Sequence, residues 1–224
     1  MSAARTPTGT AGHSPLVIAI DGPAGAGKST VGRAVAERLG LDYLDTGAMY
    51  RAVTFGVLRR GIDPQSIDDV AAVAAAIELD VDDGRVVVDG VDAAIEIRGR
   101  EVTSAVSAVA ANSAVRSELV RRQRDWVTEH GGGVVEGRDI GSVVFPDASL
   151  KLFVTASPRV RAERRVAEIG GDVDEVEASI IERDRQDSSR HDSPLVEAAG
   201  ATVVDTTGLS IDAVVLEIMG MLDR

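Results

Sequence analysis

The fold of this chain is decided near its start, where the apolar run LVIAI (Leu16–Ile20) is followed by GPAGAGKST (Gly22–Thr30). An apolar run that leads into G-x-x-x-x-G-K-S has the strand, loop and helix order of a phosphate-binding loop. Glycines carry no Cβ, so consecutive backbone N–H groups can turn toward one phosphate, and the next helix directs its partly positive N-terminus at the same anion. The stretch therefore predicts a nucleoside triphosphate site.

The loop residues have separate tasks in holding the triphosphate. We predict that Lys28 reaches the β- and γ-phosphates and that the Ser29 hydroxyl takes a place on Mg²⁺. The helix is expected to begin near Ser29 and to stop at Gly40. The predicted ATP-binding residues of the loop are Gly22, Pro23, Ala24, Gly25, Ala26, Gly27, Lys28, Ser29 and Thr30.

The composition fits one α/β domain, or one domain with a small subdomain. The chain has 224 residues, of which 44% are hydrophobic and only 3% aromatic, so its core must consist mainly of Val, Ile, Leu and Ala. The formal net charge of −12 repels a phosphate backbone, which argues against nucleic acid or an anionic membrane as a partner. An anionic substrate would therefore have to meet local clusters of arginine.

Cysteine usage and hydropathy bear on where the chain works. Cysteine is absent, which fits a reducing compartment, and we expect a cytoplasmic location. No apolar run approaches the roughly 18 residues of a membrane span. Residues 1–14 are rich in Ser, Thr, Gly and Ala and lack the apolar segment of a signal peptide, so we expect a disordered tail before a single domain over residues 15–224.

Five short apolar runs are expected to be parallel strands, because helical patterns lie between them. The runs are Leu16–Ile20, Leu41–Leu44, Gly133–Val135, Leu150–Val154 and Thr202–Val204. After the second run, Met49, Val53 and Val57 repeat at helical spacing, and Ser210 can cap a last helix. The predicted fold class is α/β, with a five-stranded parallel sheet of doubly wound type and helices on both faces.

One region breaks the alternation of strands and helices. Within about residues 61–100, the segments Glu78–Val81, Arg85–Asp89 and Val91–Ile97 are separated by Asp-Gly pairs. Asp-Gly pairs are typical of tight antiparallel hairpins. We therefore expect a small antiparallel insert beside the parallel core.

Two polar stretches follow predicted strands, at the edge of the sheet where ligands bind in folds of this type. In Asp45–Arg51, Arg51 lies off the apolar helical stripe and toward that edge. In Glu136–Asp139, Arg138 can hold a phosphate in a bidentate fork and Asp139 can accept from an exocyclic amine. Both stretches are candidates for an acceptor site, and the alternative for each is an ordinary polar surface.

Two helical segments rich in arginine, about 158–169 and 174–190, flank Gly170-Gly171. Charged residues at helical spacing share one face in each segment, namely Arg161, Arg164 and Arg165, then Arg183, Asp187 and Arg190. In an acidic chain with a triphosphate site, these faces predict a lid over about residues 158–190 that closes on transferring phosphates. The alternative is that they are solvated surfaces.

Four motifs together resemble the bacterial cytidylate kinase family of P-loop nucleoside-monophosphate kinases. They are GPAGAGKST, LDTGAMYR, EGRDIGSVVFPDA and RDRQDSSR, in this order, and the likeness covers residues 16–222. The resemblance implies the fold of that family, with a core, a monophosphate-binding insert and a helical lid. It also implies transfer of the γ-phosphate of ATP to CMP and dCMP, more weakly to UMP, with Mg²⁺ as cofactor.

The resemblance also implies roles for residues that contact CMP. Those implied to hold the acceptor phosphate are Arg51, Arg138 and Arg190. Those implied to read the cytosine edge are Ser107, Arg116 and Asp139. Those implied to meet the ribose are Arg183 and Asp187, and Thr46 of LDTGAMYR completes the CMP-binding set.

The implied catalytic residues are Lys28, Arg138 and Arg190, and Arg161 and Arg165 join the ATP site. Two positions depart from the family pattern. Glu136 stands where many members have aspartate, and Ser29 stands where some have glycine, which strengthens the expected contact with Mg²⁺.

The expected chemistry needs no general base, because the second phosphate pKa of a nucleoside monophosphate is near 6 and the attacking oxygen is mostly deprotonated at pH 7. In keeping with this, His13, His130 and His191 fit no metal spacing and no catalytic triad. The expected partners are ATP and CMP or dCMP, without nucleic acid or membrane, and we expect a monomer.

Two other functions remain as alternatives. Another small-molecule P-loop kinase, acting on AMP, shikimate or gluconate, would share the core and the lid and differ at the insert. A GTPase-type switch would read guanine with N-K-x-D, but the only asparagine, Asn112, is followed by Ser113. The single D-x-x-G match, at residues 205–208, lies too far along the chain to sense a γ-phosphate beside the loop.

Overall fold

The core of the molecule is a five-stranded parallel sheet. The computed structural model describes residues 15–82, 84–189 and 192–222, so the expected tail over residues 1–14 lies outside the described residues. The strands are β1 (Leu16–Asp21), β2 (Tyr43–Asp45), β3 (Leu79–Asp82), β4 (Arg85–Val88), β5 (Val91–Asp92), β6 (Gly132–Gly137), β7 (Leu150–Thr155) and β8 (Thr202–Asp205). The parallel sheet has the order β2-β6-β1-β7-β8, and its five strands confirm the five predicted runs.

The register of the central strands brings their carboxyl ends to one edge. β1 pairs with β6 from Leu16 opposite Gly132 to Asp21 opposite Gly137, and on its other side Asp21 lies opposite Phe153 of β7. The residues that follow β1 and β6 therefore start from the same edge of the sheet. The phosphate loop and the stretch that contains Arg138 therefore lie side by side.

Within the described residues, eight α-helices accompany the strands: α1 (Lys28–Leu39), α2 (Thr46–Arg59), α3 (Ile67–Ala76), α4 (Arg100–Ala111), α5 (Ser113–His130), α6 (Pro158–Ile169), α7 (Val173–Ser188) and α8 (Ile211–Leu222). They cover both faces of the parallel sheet, as predicted. Val17 and Ala19 of β1 belong to an apolar core with α2 and α5, whereas Ile18 and Ile20 belong to a second core with α1 and α8. The alternation of side chains along a buried strand produces these two cores.

The ends of several helices follow the signals in the sequence. Gly40 has φ 65° at the end of α1, a left-handed conformation that glycine adopts without a Cβ clash. Ser157 accepts from the backbone N–H of Val160 at 3.3 Å, and Ser210 accepts from that of Ala213 at the same distance. Ser210 therefore acts as the predicted N-cap, and Ser157 caps α6 in the same way.

The insert is a three-stranded antiparallel sheet in the order β3-β4-β5, preceded by α3. The predicted strand Val91–Ile97 is wrong beyond Asp92, where β5 ends. The Asp92 carboxylate accepts from the N–H of Ala94 at 3.0 Å, which turns the backbone away from strand pairing. The chain continues as a 3₁₀ turn, Glu96–Arg98, that buries Ile97 in the first core.

The two arginine-rich helices lie where the sequence predicted them. α6 matches the predicted 158–169, whereas α7 runs from Val173 to Ser188 rather than from 174 to 190. They pack against each other and are joined through Gly170 and Gly171, whose φ values are 75° and 116°. None of the described helices is long and apolar enough to cross a membrane.

Candidate active site

The phosphate loop turns tightly at positions where only glycine fits. Gly22 has φ 145°, and a Cβ there would lie 1.9 Å from the carbonyl oxygen of Val154 on β7. Gly27, directly before α1, has φ 89°. These conformations leave the loop backbone without side-chain obstruction, so a phosphate can approach its N–H groups closely.

Lys28 is the cation of the loop. Its Nζ donates to the carbonyl oxygen of Pro23 at 2.9 Å. Burial, and next the positive charge of Arg138, lowers the pKa of Lys28 to about 8, although Glu136 and Asp45 act in the opposite direction. Because the ammonium charge is costly where it lies, a bound polyphosphate would stabilise it strongly.

Side chains from outside the loop hold its backbone in place. The Arg161 guanidinium donates to the carbonyl oxygen of Ala24 at 3.1 Å, and the Thr206 hydroxyl donates to that of Ala26 at 3.0 Å. Arg164 in turn donates to the hydroxyl and the carbonyl oxygen of Thr206, at 3.0 and 2.9 Å. Sequence reasoning missed Thr206, because nothing in its spacing shows which loop it contacts.

The two residues that depart from the family pattern contact each other. The Ser29 hydroxyl donates to Oε1 of Glu136 at 2.8 Å, and the Thr46 hydroxyl donates to the backbone carbonyl of Glu136 at 2.7 Å. Glu136 Oε2 and the Tyr43 hydroxyl are both buried with no hydrogen-bond partner in the described part of the chain. Burial, and next the charge of Asp45, raises the pKa of Glu136. A buried carboxyl oxygen is thus held beside the loop with no hydrogen-bond partner among the described residues.

Arginines from three elements converge on the acceptor side. Arg51 of α2 donates to the carbonyl oxygen of Ile97 at 3.0 Å and to the Thr103 hydroxyl at 2.9 Å. Burial, and next the like charges of Arg183 and Arg98, lowers the pKa of Arg51 to about 10. A cluster of like charges of this kind favours a multiply charged anion as ligand. Arg98 was not predicted as a site residue, because the expected strand over Val91–Ile97 gave no reason to place the next residue near Arg51.

A buried ion pair stands beside these arginines. Arg116 of α5 and Asp139, which follows β6, form a direct salt bridge although 23 residues separate them. Arg116 also donates to the carbonyl oxygen of Ala110 at 3.4 Å, and its guanidinium lies 5.5 Å from the centre of the Tyr50 ring. Ser107 lies half-buried on α4, one helical turn before Ala110. The structure thus brings Arg116 and Asp139 together as the resemblance implied.

Carboxylates of α7 tie the two helices of the predicted lid, α6 and α7, to both sides of the site. Arg138 Nη1 lies 2.9 Å from Asp187 Oδ2, and the Asp187 side chain is almost fully buried. Arg161 Nη2 lies 2.7 Å from Asp184 Oδ2. Asp184 was not predicted, because it lies off the helical face that Arg183 and Asp187 were expected to share.

The remaining predicted residues are placed less centrally. Arg165 pairs with Glu168 at 3.2 Å near the surface, and Thr30 is exposed. Arg183 is half-buried on α7, and its Nε has no hydrogen-bond partner among the described residues. Arg190 lies outside the described residues, so its part in the site stays a prediction.

The chain matches known proteins over most of its length. The family model described as Cytidylate kinase matches residues 18–224. The chain is 48% identical over 217 residues to a cytidylate kinase of Corynebacterium efficiens, covering 93% of this chain and 94% of that protein. It is 51% identical over 210 residues to a bifunctional pantoate ligase/cytidylate kinase of Synechococcus sp. strain WH7803, covering 89% of this chain but only 43% of that longer protein.

A solved structure supports the fold at low sequence identity. An uncharacterized protein from Eubacterium ventriosum is similar with a TM-score of 0.56 and 12% identity, over 93% of this chain and 99% of that one. At this identity the likeness concerns the arrangement of strands and helices alone.

Proposed function

This chain belongs to the cytidylate kinase family, and we propose on that premise how its own residues bind ATP and a cytidine monophosphate side by side. Its reaction is the transfer of the γ-phosphate of ATP to CMP. The observation that supports the residue assignment is the buried Arg116–Asp139 pair, because Asp139 directly follows Arg138 at the edge of the sheet that also carries the phosphate loop. The donor nucleotide takes the loop, and the acceptor nucleotide takes the arginine side.

On the donor side, loop residues 22–30 hold the polyphosphate by backbone N–H groups. Lys28, which is half-buried, supplies an ammonium charge that burial makes costly and that each phosphate oxygen would stabilise. Arg161 serves this side by fixing the loop through Ala24, and Arg165 reaches toward the phosphates when the lid closes.

Mg²⁺ would be held on the same side by Ser29 and Glu136. The fit rests on Glu136 Oε2, which is buried with no hydrogen-bond partner in the residues that the structure describes, and on the Ser29 hydroxyl beside it. Carboxylate and hydroxyl oxygens are ligands that Mg²⁺ prefers. When bound, the ion neutralises charge on the β- and γ-phosphate oxygens.

On the acceptor side, Arg51 and Arg138 hold the CMP phosphate, with Arg190 as the proposed third arginine. Asp139, kept in place by Arg116, accepts from the N4 amine of cytosine. Ser107 and Arg116 supply donors toward the O2 and N3 side, Thr46 lines the same cleft, and Arg183 and Asp187 meet the ribose.

The chemical step is an in-line transfer between these two halves. An oxygen of the CMP phosphate forms a bond to the γ-phosphorus, and the bond from that phosphorus to the bridging oxygen of ADP breaks. The attacking oxygen is mostly deprotonated at pH 7. The residues of the site therefore need to align the two phosphates and neutralise their charge, and no residue has to remove a proton. Closure of the lid over about residues 158–190 keeps out the water that would hydrolyse ATP.

A coupled ADP-release assay with MgATP tests the proposal, with the common nucleoside monophosphates, shikimate and gluconate offered as acceptors in turn. We expect high activity with CMP and dCMP and weaker activity with UMP, because uracil presents an O4 acceptor to the Asp139 carboxylate. Higher activity with AMP, shikimate or gluconate than with CMP would overturn it. We further propose that the chain works as a monomer in the cytoplasm, which light scattering and cell fractionation would test.

A further inference from the structure

A buried carboxylate joins the phosphate loop to the acceptor site. Asp21 is the last residue of β1 and directly precedes Gly22, and its side chain is almost fully buried. Its Oδ1 accepts from the backbone N–H of Ile140 and its Oδ2 from that of Gly141, each at 2.7 Å. The carboxylate thus bonds two successive N–H groups more than a hundred residues further along the chain.

The far end of this connection is the turn that carries the acceptor-side residues. Arg138 and Asp139 directly precede Ile140, and residues 140–144 form a single π-helical turn. The backbone carbonyl of Asp139 accepts from the N–H of Val143 at 2.9 Å. This turn is therefore hydrogen-bonded to the backbone of Asp139, the residue proposed to contact the cytosine amine. Movement of the N–H groups of this turn would move both Arg138 and Asp139.

An ionisable residue at this buried position is costly, which argues for a function beyond packing. Burial raises the pKa of Asp21 to about 6, although the two backbone hydrogen bonds and the charge of Lys28 oppose the rise. A carboxylate offers two acceptor oxygens to the two N–H groups. An asparagine of the same shape would accept only one of them and would direct an NH₂ group at the other.

We propose that Asp21 is a positioning residue that fixes the Arg138–Asp139 turn relative to the phosphate loop. It thereby sets the distance and alignment between the acceptor phosphate and the γ-phosphate. The inference rests on the proposed function, because the two ends that Asp21 joins are the proposed donor and acceptor sites. Alignment of this kind is sensitive, since a misplacement of about 1 Å can lower the rate by about a hundredfold.

The test compares Asp21→Asn with Asp63→Asn, which makes the same chemical change at an exposed turn where the carboxylate accepts from the N–H of Gln65. We expect Asp21→Asn to lower kcat with CMP about 10- to 100-fold. Its KM for CMP should rise, whereas its Kd for MgADP, measured by calorimetry, should stay within about threefold of the wild-type value. Amide exchange in residues 140–145 should become about tenfold faster in Asp21→Asn alone.

Unchanged kcat in Asp21→Asn, or a loss of MgADP affinity as large as the loss of kcat, would overturn the inference. Wild-type protein that fails to phosphorylate CMP in the same assay would instead refute the proposed function. If Asp21→Asn does not fold, Gly141→Pro removes one of the two N–H donors and leaves Asp21 in place. Gly141→Ala is its control, because the added Cβ would lie 3.1 Å from the flexible Lys151 side chain and 3.4 Å from the Cβ of Ala198, which is ordinary van der Waals contact. Equal kcat in these two variants would also overturn the inference.

Discussion

The phosphate loop and the lid hold their charged groups in opposite ways. In the loop, Lys28 bonds a backbone carbonyl, and buried side chains fix the carbonyls of Ala24 and Ala26. In the lid, Arg159 pairs with side chains of Asp174 and Glu177 that are open to solvent to different extents. In the donor half, the charged groups are thus held by backbone carbonyl groups. In the lid, they are held by side-chain ion pairs, which can change partners.

This difference indicates in which half of the site side chains must change partners when a substrate binds. Arg138 lies against the Asp187 carboxylate, and we expect it to turn to the acceptor phosphate when CMP binds. The loop needs no such exchange, because its glycine conformations are already set. We therefore expect variants of the loop to affect the chemical step, and variants of the acceptor half to affect how the acceptor nucleotide binds.

The largest effect is expected for Lys28→Ala. Removing a preorganised charge beside the β- and γ-phosphates should lower kcat by about a hundredfold or more. Lys151→Ala is the matched control, since Lys151 is the only other lysine and donates to the carbonyl oxygen of Ala199 at 3.0 Å. Steady-state kinetics with MgATP and CMP measure both. Equal turnover in the two variants would contradict the assigned role of the loop.

Asp139→Asn should change the choice of base rather than the rate with every substrate. An aspartate that accepts from the cytosine amine is worth about 1–3 kcal/mol, or about 5- to 150-fold, in discrimination between CMP and UMP. Asparagine can turn its NH₂ group toward O4 of uracil, so the ratio of kcat/KM for CMP and UMP should fall, mainly through loss of activity with CMP. Arg138→Ala should instead lower kcat/KM for CMP and for UMP by the same factor, because Arg138 is proposed to hold only the phosphate. An unchanged ratio in Asp139→Asn would mean that other residues read the base.

The sequence predicted the donor half better than the acceptor half, for a physical reason. The loop and its strand are local, so glycine spacing and apolar runs are enough to place Lys28 at the start of α1. The acceptor half depends on partners that are distant in the sequence, such as Arg116 and Asp139, and the resemblance to a family rather than spacing brought them together. The strand predicted through Ile97 was wrong because the Asp92 carboxylate turns the backbone.

An effect of intermediate size is expected for the lid in hydrogen exchange. Residues 158–189 should exchange about tenfold more slowly when a bisubstrate analogue places phosphates between the arginines. Gly170 and Gly171, both at positive φ, join α6 to α7, and we expect this connection to let the two helices move relative to each other. Strands of the parallel sheet serve as the internal control, and equal exchange of the lid with and without the analogue would remove its closure from the mechanism.

The smallest effect is expected for Arg159→Ala, although Arg159 has the most ion pairs on the lid. It lies within 4 Å of three carboxylates, those of Asp174, Glu177 and Glu163, but its side chain is 48% exposed. Solvent screens such pairs, and holding a long side chain in one geometry offsets much of the attraction. We expect kcat to stay within about twofold of the wild-type value and the thermal unfolding midpoint to change little.

Arg161→Ala, two residues along the same helix, provides the contrast. Arg161 has one carboxylate partner, Asp184, but its side chain is only 4% exposed and it also holds the Ala24 carbonyl of the loop. Its removal leaves the Asp184 carboxylate without a cation at a poorly hydrated position. The thermal unfolding midpoint should therefore fall clearly, and the KM for ATP should rise. If Arg159→Ala proved as damaging as Arg161→Ala, the number of ion pairs rather than their burial would hold this lid, and the contrast between the two halves of the site would fail.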